Sequence, residues 1–239
     1  MKLYRQIGWA VALAVAVARC LAQAAPGGAS GEVVVVEPGS HAAEKDASRV
    51  VVWLVPLETV QRVRAVTDRP HYRLVQRNKR FEPGLLVVPV GSVVDFPNQD
   101  PWFHNVFSLY RGKRFDLGLY QAGAQRSVRF DRPGPSYLFC NIHPEMTGVV
   151  LAVDSELFAI TDSNGHYAIS GATPGRYVMH VWYEKATPEA LQALQRTVTI
   201  DESGRGLPAL TLTAAKKSSA EHKNKYGENY DPEGIKTEY

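Results

Sequence analysis

Four side chains stand out for what their donor atoms could do together. Cys140, His143 and Met146 follow one another at C-x2-H-x2-M spacing within Tyr137-Leu138-Phe139-Cys140-Asn141-Ile142-His143-Pro144-Glu145-Met146-Thr147-Gly148. His104 lies in a separate upstream segment, Phe96-Pro97-Asn98-Gln99-Asp100-Pro101-Trp102-Phe103-His104-Asn105-Val106. Thiolate and thioether are soft donors that stabilise Cu(I), and imidazole suits both oxidation states; two imidazoles, one thiolate and a weak axial thioether are what a blue-copper centre needs. The short spacing lets one loop wrap three donors around a single ion, while His104 must be delivered by another strand. The expectation is one copper ion, cycling between Cu(I) and Cu(II). A lone histidine is usually a surface or hydrogen-bonded residue and a lone cysteine a small buried hydrophobe. Here the chain has two cysteines and three methionines in all, and one of each falls beside His143 in a single loop.

Both segments sit where strands run into loops, so their ligands can meet at one end of a sandwich. The surrounding chain reads as short β segments: Val33–Val36, Val50–Leu54, Leu85–Val90, Val93–Phe96, Ser127–Phe130, Tyr137–Phe139, Val149–Val153, Phe158–Thr161, Tyr167–Ser170, Tyr177–Tyr183 and Thr197–Ile200. Gly, Pro, Asn and Asp punctuate them, which predicts antiparallel sandwiches or barrels, an all-β protein with little helix. The one convincing helix is short: Thr187 caps it, Pro188 takes its first position and Glu189–Leu194 follow.

The N-terminus changes how the composition is understood. Lys2 and Arg5 precede an uncharged Ala/Val-rich run from Ile7 to Ala18, and Ala22-Gln23-Ala24 follows. A basic start, a short apolar run and a small-x-small site predict a secretory signal peptide over residues 1–24; a spanning helix wants roughly 20 apolar residues. The protein is therefore expected to be periplasmic or secreted, with no stable membrane insertion after cleavage. Removing Lys2, Arg5 and Arg19 from 27 basic residues equalises them with the 24 acidic ones, so nothing points to nucleic acid. Cleavage also removes Cys20. An internal disulfide needs two cysteines and the mature chain keeps one, in a compartment where thiols oxidise unless buried or metal-bound. The last stretch, 214–239, is rich in Lys, Glu, Asn and Gly and predicts a polar, loosely draped tail, with Tyr226, Tyr230 and Tyr239 available for partial docking.

Over residues 71–153 the chain resembles the plastocyanin/amicyanin branch of the cupredoxins. The likeness is carried by Val87-Val88-Pro89-Val90-Gly91, Val93-Val94-Asp95-Phe96, Asn98, His104-Asn105-Val106, Pro133-Gly134, Phe139-Cys140, His143, Met146 and Gly148. It implies a Greek-key β-sandwich in which His104, Cys140 and His143 bind the copper and Met146 is axial. It also implies that Asn105 locks the two ligand loops together. The electron is expected to leave through His143, within an apolar patch of Pro101, Trp102 and Pro144. A second resemblance lies outside that stretch. Asp162-Ser163-Asn164-Gly165-His166-Tyr167-Ala168-Ile169 and Pro174-Gly175-Arg176-Tyr177-Val178-Met179-His180-Val181 are similar to the carboxypeptidase-regulatory-like, transthyretin-type sandwich, with Asp162–Gly165 as a hairpin turn. Its usual opening strands match Gly31-Glu32-Val33-Val34 and Val50-Val51-Val52-Trp53-Leu54, which come before the copper segment. The simplest organisation is a cupredoxin domain over 70–153 inserted between first strands over 31–69 and the remainder over 154–213; a sequential arrangement is the alternative.

One-electron transfer between redox protein partners by a monomer is the leading expectation. Copper oxidases need His-x-His and His-Cys-His clusters, whereas Phe139 and Asn141 flank Cys140, so catalytic turnover is not expected. A non-redox periplasmic copper-binding or interaction module is the other reading.

Overall fold

The computed structural model describes residues 28–39, 42–58, 71–109, 113–202, 206–215 and 223–229, and over these the protein is all-β. The strands are β1 (Gly28–Val36), β2 (Val51–Pro56), β3 (His71–Arg73), β4 (Val75–Arg77), β5 (Arg80–Glu82), β6 (Leu85–Pro89), β7 (Ser92–Pro97), β8 (His104–Ser108) and β9 (Phe115–Tyr120). They continue as β10 (Gln125–Phe130), β11 (Gly134–Phe139), β12 (Thr147–Val153), β13 (Phe158–Ile160), β14 (His166–Ser170) and β15 (Gly175–Trp182). After the helix α1 (Pro188–Leu194) come β16 (Arg196–Ile200) and β17 (Leu210–Thr213). Residues 1–24, expected to be a signal peptide, lie outside the described residues. No helix among them is long and apolar enough to cross a membrane.

Two sandwiches account for the strands. In the first, a five-stranded sheet ordered β6-β12-β11-β8-β9 faces a three-stranded sheet ordered β10-β7-β3, with the β4–β5 hairpin at its side. Phe96, Val94, Val106, Phe130, Leu138, Val150, Cys140 and Met146 fill the space between them. In the second, sheets ordered β13-β2-β15-β16 and β14-β1-β17 enclose Val33, Val35, Val52, Leu54, Ile169, Met179, Leu210 and Leu212. Alternation along each strand makes this possible, because residues two apart share a face. Three pairings are parallel, β1–β17, β3–β7 and β6–β12, where the sequence suggested antiparallel pairing throughout. Each joins strands far enough apart in the chain for a crossover between sheets to intervene.

The two sandwiches are stacked through a third apolar layer. Val51 and Trp182 from the second meet Leu85, Val87, Val149, Leu151 and Val153 from the first. Along β12, Val150 and Ala152 point into one core while Val149, Leu151 and Val153 point into this layer. Both faces of the strand are covered, which explains an unbroken apolar run where a half-exposed strand would alternate. Trp53 adds a hydrogen bond from its Nε1 to Asp154 Oδ1 (2.9 Å).

Local chemistry in the second sandwich follows the residue types. Thr187 Oγ1 accepts from Ala190 N (3.2 Å) at the start of α1, with Pro188 in the first turn. Asp162 Oδ1 accepts from the backbone N–H groups of Asn164 and His166, and Gly165 has φ +84°. A Cβ at Gly165 would lie 2.0 Å from Val33 O, so only glycine fits. The turn does not close a simple two-stranded hairpin: β13 joins the sheet of β2 and β14 the sheet of β1, so it carries the chain from one sheet to the other.

Candidate metal centre

His104 opens β8, and Cys140 stands one residue beyond β11, the strand next to β8 in the five-stranded sheet. Phe139 pairs with Phe107 across these strands, and their rings lie 5.8 Å apart. Sheet pairing therefore brings a histidine from one segment beside a thiol from another. The loop after Cys140 folds back tightly: Met146 N donates to His143 O (3.1 Å), and Cys140 N donates to Met146 O (3.2 Å). These bonds hold His143 over the thiol and leave Met146 fully buried in the same apolar cluster as Cys140. Gly148 follows because a Cβ there would come within 3.1 Å of the Phe81 side chain.

Three donor atoms converge. His104 Nδ1 and His143 Nδ1 are 3.1 Å apart, and Cys140 Sγ lies 3.9 Å from the first and 3.7 Å from the second. Donors each bonded at about 2.0–2.3 Å to one ion lie roughly 3.5 Å from one another, so the spacing and the donor types suit a single thiophilic ion. Among the described residues this is the one cluster of His, Cys, Asp and Glu side chains with such convergence. His104 and Cys140 are buried, and His143 is partly exposed at the rim.

Burial tunes the protonation of all three. Loss of water raises the Cys140 thiol above its ordinary range, opposed by the backbone N–H groups of Asn105, Ile142 and His143. Burial also lowers His104, against the pull of Asp100. His143 is lowered to about 4, first by burial and then by the charges of His104 and Lys79. At neutral pH both imidazoles are therefore uncharged and have a lone pair to offer, while a metal would have to displace the thiol proton.

Other expected residues fall into place differently. The Asn105 side chain does not bridge the two ligand loops: its Nδ2 donates to Asp116 Oδ1 (2.7 Å) and Gly118 O (2.9 Å), tying β8 to β9. It is the Asn105 backbone N–H that reaches towards the Cys140 sulfur. Pro101 is exposed, Trp102 and Phe103 are each 37% exposed, and Pro144 is partly buried. Lys79 Nζ sits 4.9 Å from the centre of the Trp102 ring. His166 is exposed, and His180 stacks on Trp53 at 5.0 Å, far from any such donor cluster.

Two features of the site escaped the sequence reading. Asp100, buried, lies 2.8 Å from His104 Nε2 through its Oδ2. Burial would raise this carboxyl, but the Lys79 N–H, the His104 ring and the Asn78 N–H outweigh it and hold it below its ordinary value. A carboxylate four residues before a histidine was the available signal. The second is the tail, which is not simply draped: Lys225 N donates to Asn141 Oδ1 (3.0 Å), and Lys225 Nζ pairs with Asp116 Oδ2 (3.0 Å). Residues 223–229 thus lie against the segment that flanks Cys140. Nothing local in a Lys/Asn-rich stretch announces that contact.

No family model matches the chain, and no curated protein matches it. Similar solved structures are cupredoxins and a copper enzyme. A purple cupredoxin from Nitrosopumilus maritimus is 24% identical over 34% of this chain and 99% of its own, with a TM-score of 0.32. The reduced state of an amicyanin mutant is 22% identical over 37% of this chain and 90% of its own, with a TM-score of 0.33. A Cu-containing nitrite reductase from Thermus scotoductus SA-01 is 19% identical over 51% of this chain and 28% of its own, with a TM-score of 0.35.

Proposed function

We infer that this chain holds one copper ion through His104 Nδ1, Cys140 Sγ and His143 Nδ1, with Met146 as the weak axial donor, and carries single electrons between protein partners outside the cytoplasm. The convergence of two uncharged imidazoles on one buried thiol carries this reading. Bound there, copper would supply a one-electron Cu(II)/Cu(I) couple, for which two imidazoles, a thiolate and a thioether are a suitable donor set.

What the chain contributes is position and dryness. His104 and Cys140 are fixed by neighbouring strands of one sheet, and the backbone bonds between Cys140, His143 and Met146 hold the remaining donors on a short loop. Phe96, Val106, Leu138 and Met146 exclude water from beneath. His143 stands at the rim, and exposed Pro101, Trp102 and Phe103 offer an apolar face on which a partner docks closely and leaves readily. The protein acts as a carrier, without turnover of a substrate. The basic start and short apolar run before residue 25 support export as part of this reading.

The domain organisation belongs to the same proposal. Strands β3–β12 pair only with one another, and β1 and β2 pair only with β13, β14, β15 and β17. These pairings support reading residues 70–153 as an inserted unit.

The direct test is titration of the purified protein with Cu(II). One equivalent should bind and give an intense thiolate charge-transfer band that mild reductant bleaches reversibly. Uptake of copper without that band would overturn the assignment. Stopped-flow exchange with a small redox protein tests the port: Trp102→Lys should slow it and leave the band unchanged.

A further inference from the structure

Histidine 104 is fully buried, and a buried ring N–H needs an acceptor. A neutral imidazole carries its one proton on either nitrogen, and the hydrogen bond made by one nitrogen decides what the other can do. Here Nε2 faces Asp100 Oδ2 at 2.8 Å, while Nδ1 faces Cys140 Sγ and His143 Nδ1. An ionised carboxylate only accepts, so Nε2 must be the donor.

The carboxylate is itself held in place. Arg77-Asn78-Lys79-Arg80 is the turn of the β4–β5 hairpin, with Asn78 and Lys79 both at φ 53°. Two successive residues in the left-handed region make a type I′ turn, and their N–H groups point at Asp100: Asn78 N to Oδ1 (2.6 Å) and Lys79 N to Oδ2 (2.8 Å). Asp100 N in turn donates to Asn98 Oδ1 (3.0 Å), whose Nδ2 donates to Trp102 O (2.7 Å). A hairpin outside the five-stranded sheet thus aims an anion at the far nitrogen of a ligand.

We propose that Asp100 is the positioning residue of this centre: it locks His104 in the tautomer that turns the Nδ1 lone pair to the metal, and its buried charge favours the oxidised ion over the reduced one. The proposal deepens the copper reading and rests on it. A carboxylate behind a ligating histidine raises the basicity of the ring, and its loss typically costs 10–100-fold in metal affinity. Fixed negative charge stabilises the doubly charged ion more than the singly charged one.

The test uses the whole chain and Asp100→Asn, which keeps the shape and removes the charge. In the metal-free wild type, nitrogen-15 NMR of the imidazoles should show His104 protonated at Nε2, with a strongly downfield, slowly exchanging ring proton. Asn should move that proton upfield and leave the His143 ring signals in place. In the copper-loaded protein, Asn should keep the charge-transfer band while the preference for Cu(II) over Cu(I) falls about tenfold, read by voltammetry as a midpoint rise of about 59 mV. A His104 ring protonated at Nδ1, or an unmoved midpoint in a variant that keeps its band, overturns the proposal. Should copper bind the wild type without a band, the copper reading falls while the ring spectrum still judges Asp100. If Asp100→Asn does not fold, the wild-type spectrum decides alone.

Discussion

The two sandwiches are made from much the same ingredients and do different things with them. Each has a buried methionine, two or more histidines near strand ends and a core of Val, Leu and Phe or Tyr. In the second sandwich Met179 is packed among aliphatic and aromatic side chains, His166 is exposed, and His180 is half-buried against the Trp53 ring. In the first, polar groups go inward at one end: His104, Asp100, Asn98 and Asn105 are all buried beside Cys140 and Met146. Chemistry therefore comes from where the strands end. A loop that folds back on itself and a neighbouring strand that starts with histidine convert common residues into a donor set.

The sharpest way to break this contrast is to remove the thiol. Cys140→Ser should abolish the charge-transfer band entirely, whereas His166→Ala and His180→Ala should leave it intact; copper titration followed in the visible range checks both. A coloured Cys140→Ser protein would place the site elsewhere.

The paired methionines give the next effect. Met179→Ala should cost about 2–5 kcal/mol of stability, since a buried methionine leaves a cavity, with no change in the copper spectrum. Urea denaturation monitored alongside absorption separates the two readouts. Met146→Gln should act on the couple instead. A harder oxygen donor favours Cu(II), and a swing of roughly a hundredfold corresponds to a fall on the order of 100 mV. Met146→Leu should raise the midpoint. Two unchanged midpoints in voltammetry would make Met146 a core residue like Met179.

The smallest effect belongs to the tail. Lys225→Ala removes a partly exposed ion pair with Asp116 and should cost no more than about 1 kcal/mol. Its clearer sign should be faster proteolysis near residue 225 with the absorption band unchanged. Equal cleavage rates would show that the tail's ion pair with Asp116 contributes nothing to holding it.

What the sequence made legible is what short-range pattern encodes. Valine-rich strands such as β1, β6, β7 and β12, the α1 cap at Thr187 and the grouping of Cys140, His143 and Met146 all follow from neighbours a few positions apart, whereas the short or mixed strands β3, β4, β5, β8, β9 and β17 did not stand out. Less visible were contacts whose partners are far away in the chain. The Asp100 carboxylate depends on a turn at Asn78 and Lys79, and the docking of Lys225 on residues 141 and 116. The layer between the sandwiches had a trace, the unbroken run Val149–Val153, but a run alone does not say what covers its second face. Asn105 was noticed for its place beside His104, yet its side chain serves β9, because a bulge between Asn105 and Phe107 sets its reach.

The sheet orders also set a timetable for synthesis. β1 is the middle strand of β14-β1-β17 and β2 lies between β13 and β15, so all four of their neighbours are translated after Val153. A ribosome adds about 5–20 residues per second, and domains fold as units while it does so. The first sandwich can close as soon as β12 has emerged, whereas Val33–Val36 and Val51–Val55 must wait with both strand edges bare. Unpaired apolar edges of this kind are templates for pairing with other chains. For this protein, the interval between the completion of one sandwich and the arrival of β17 is the period when these two apolar strands lack their partners.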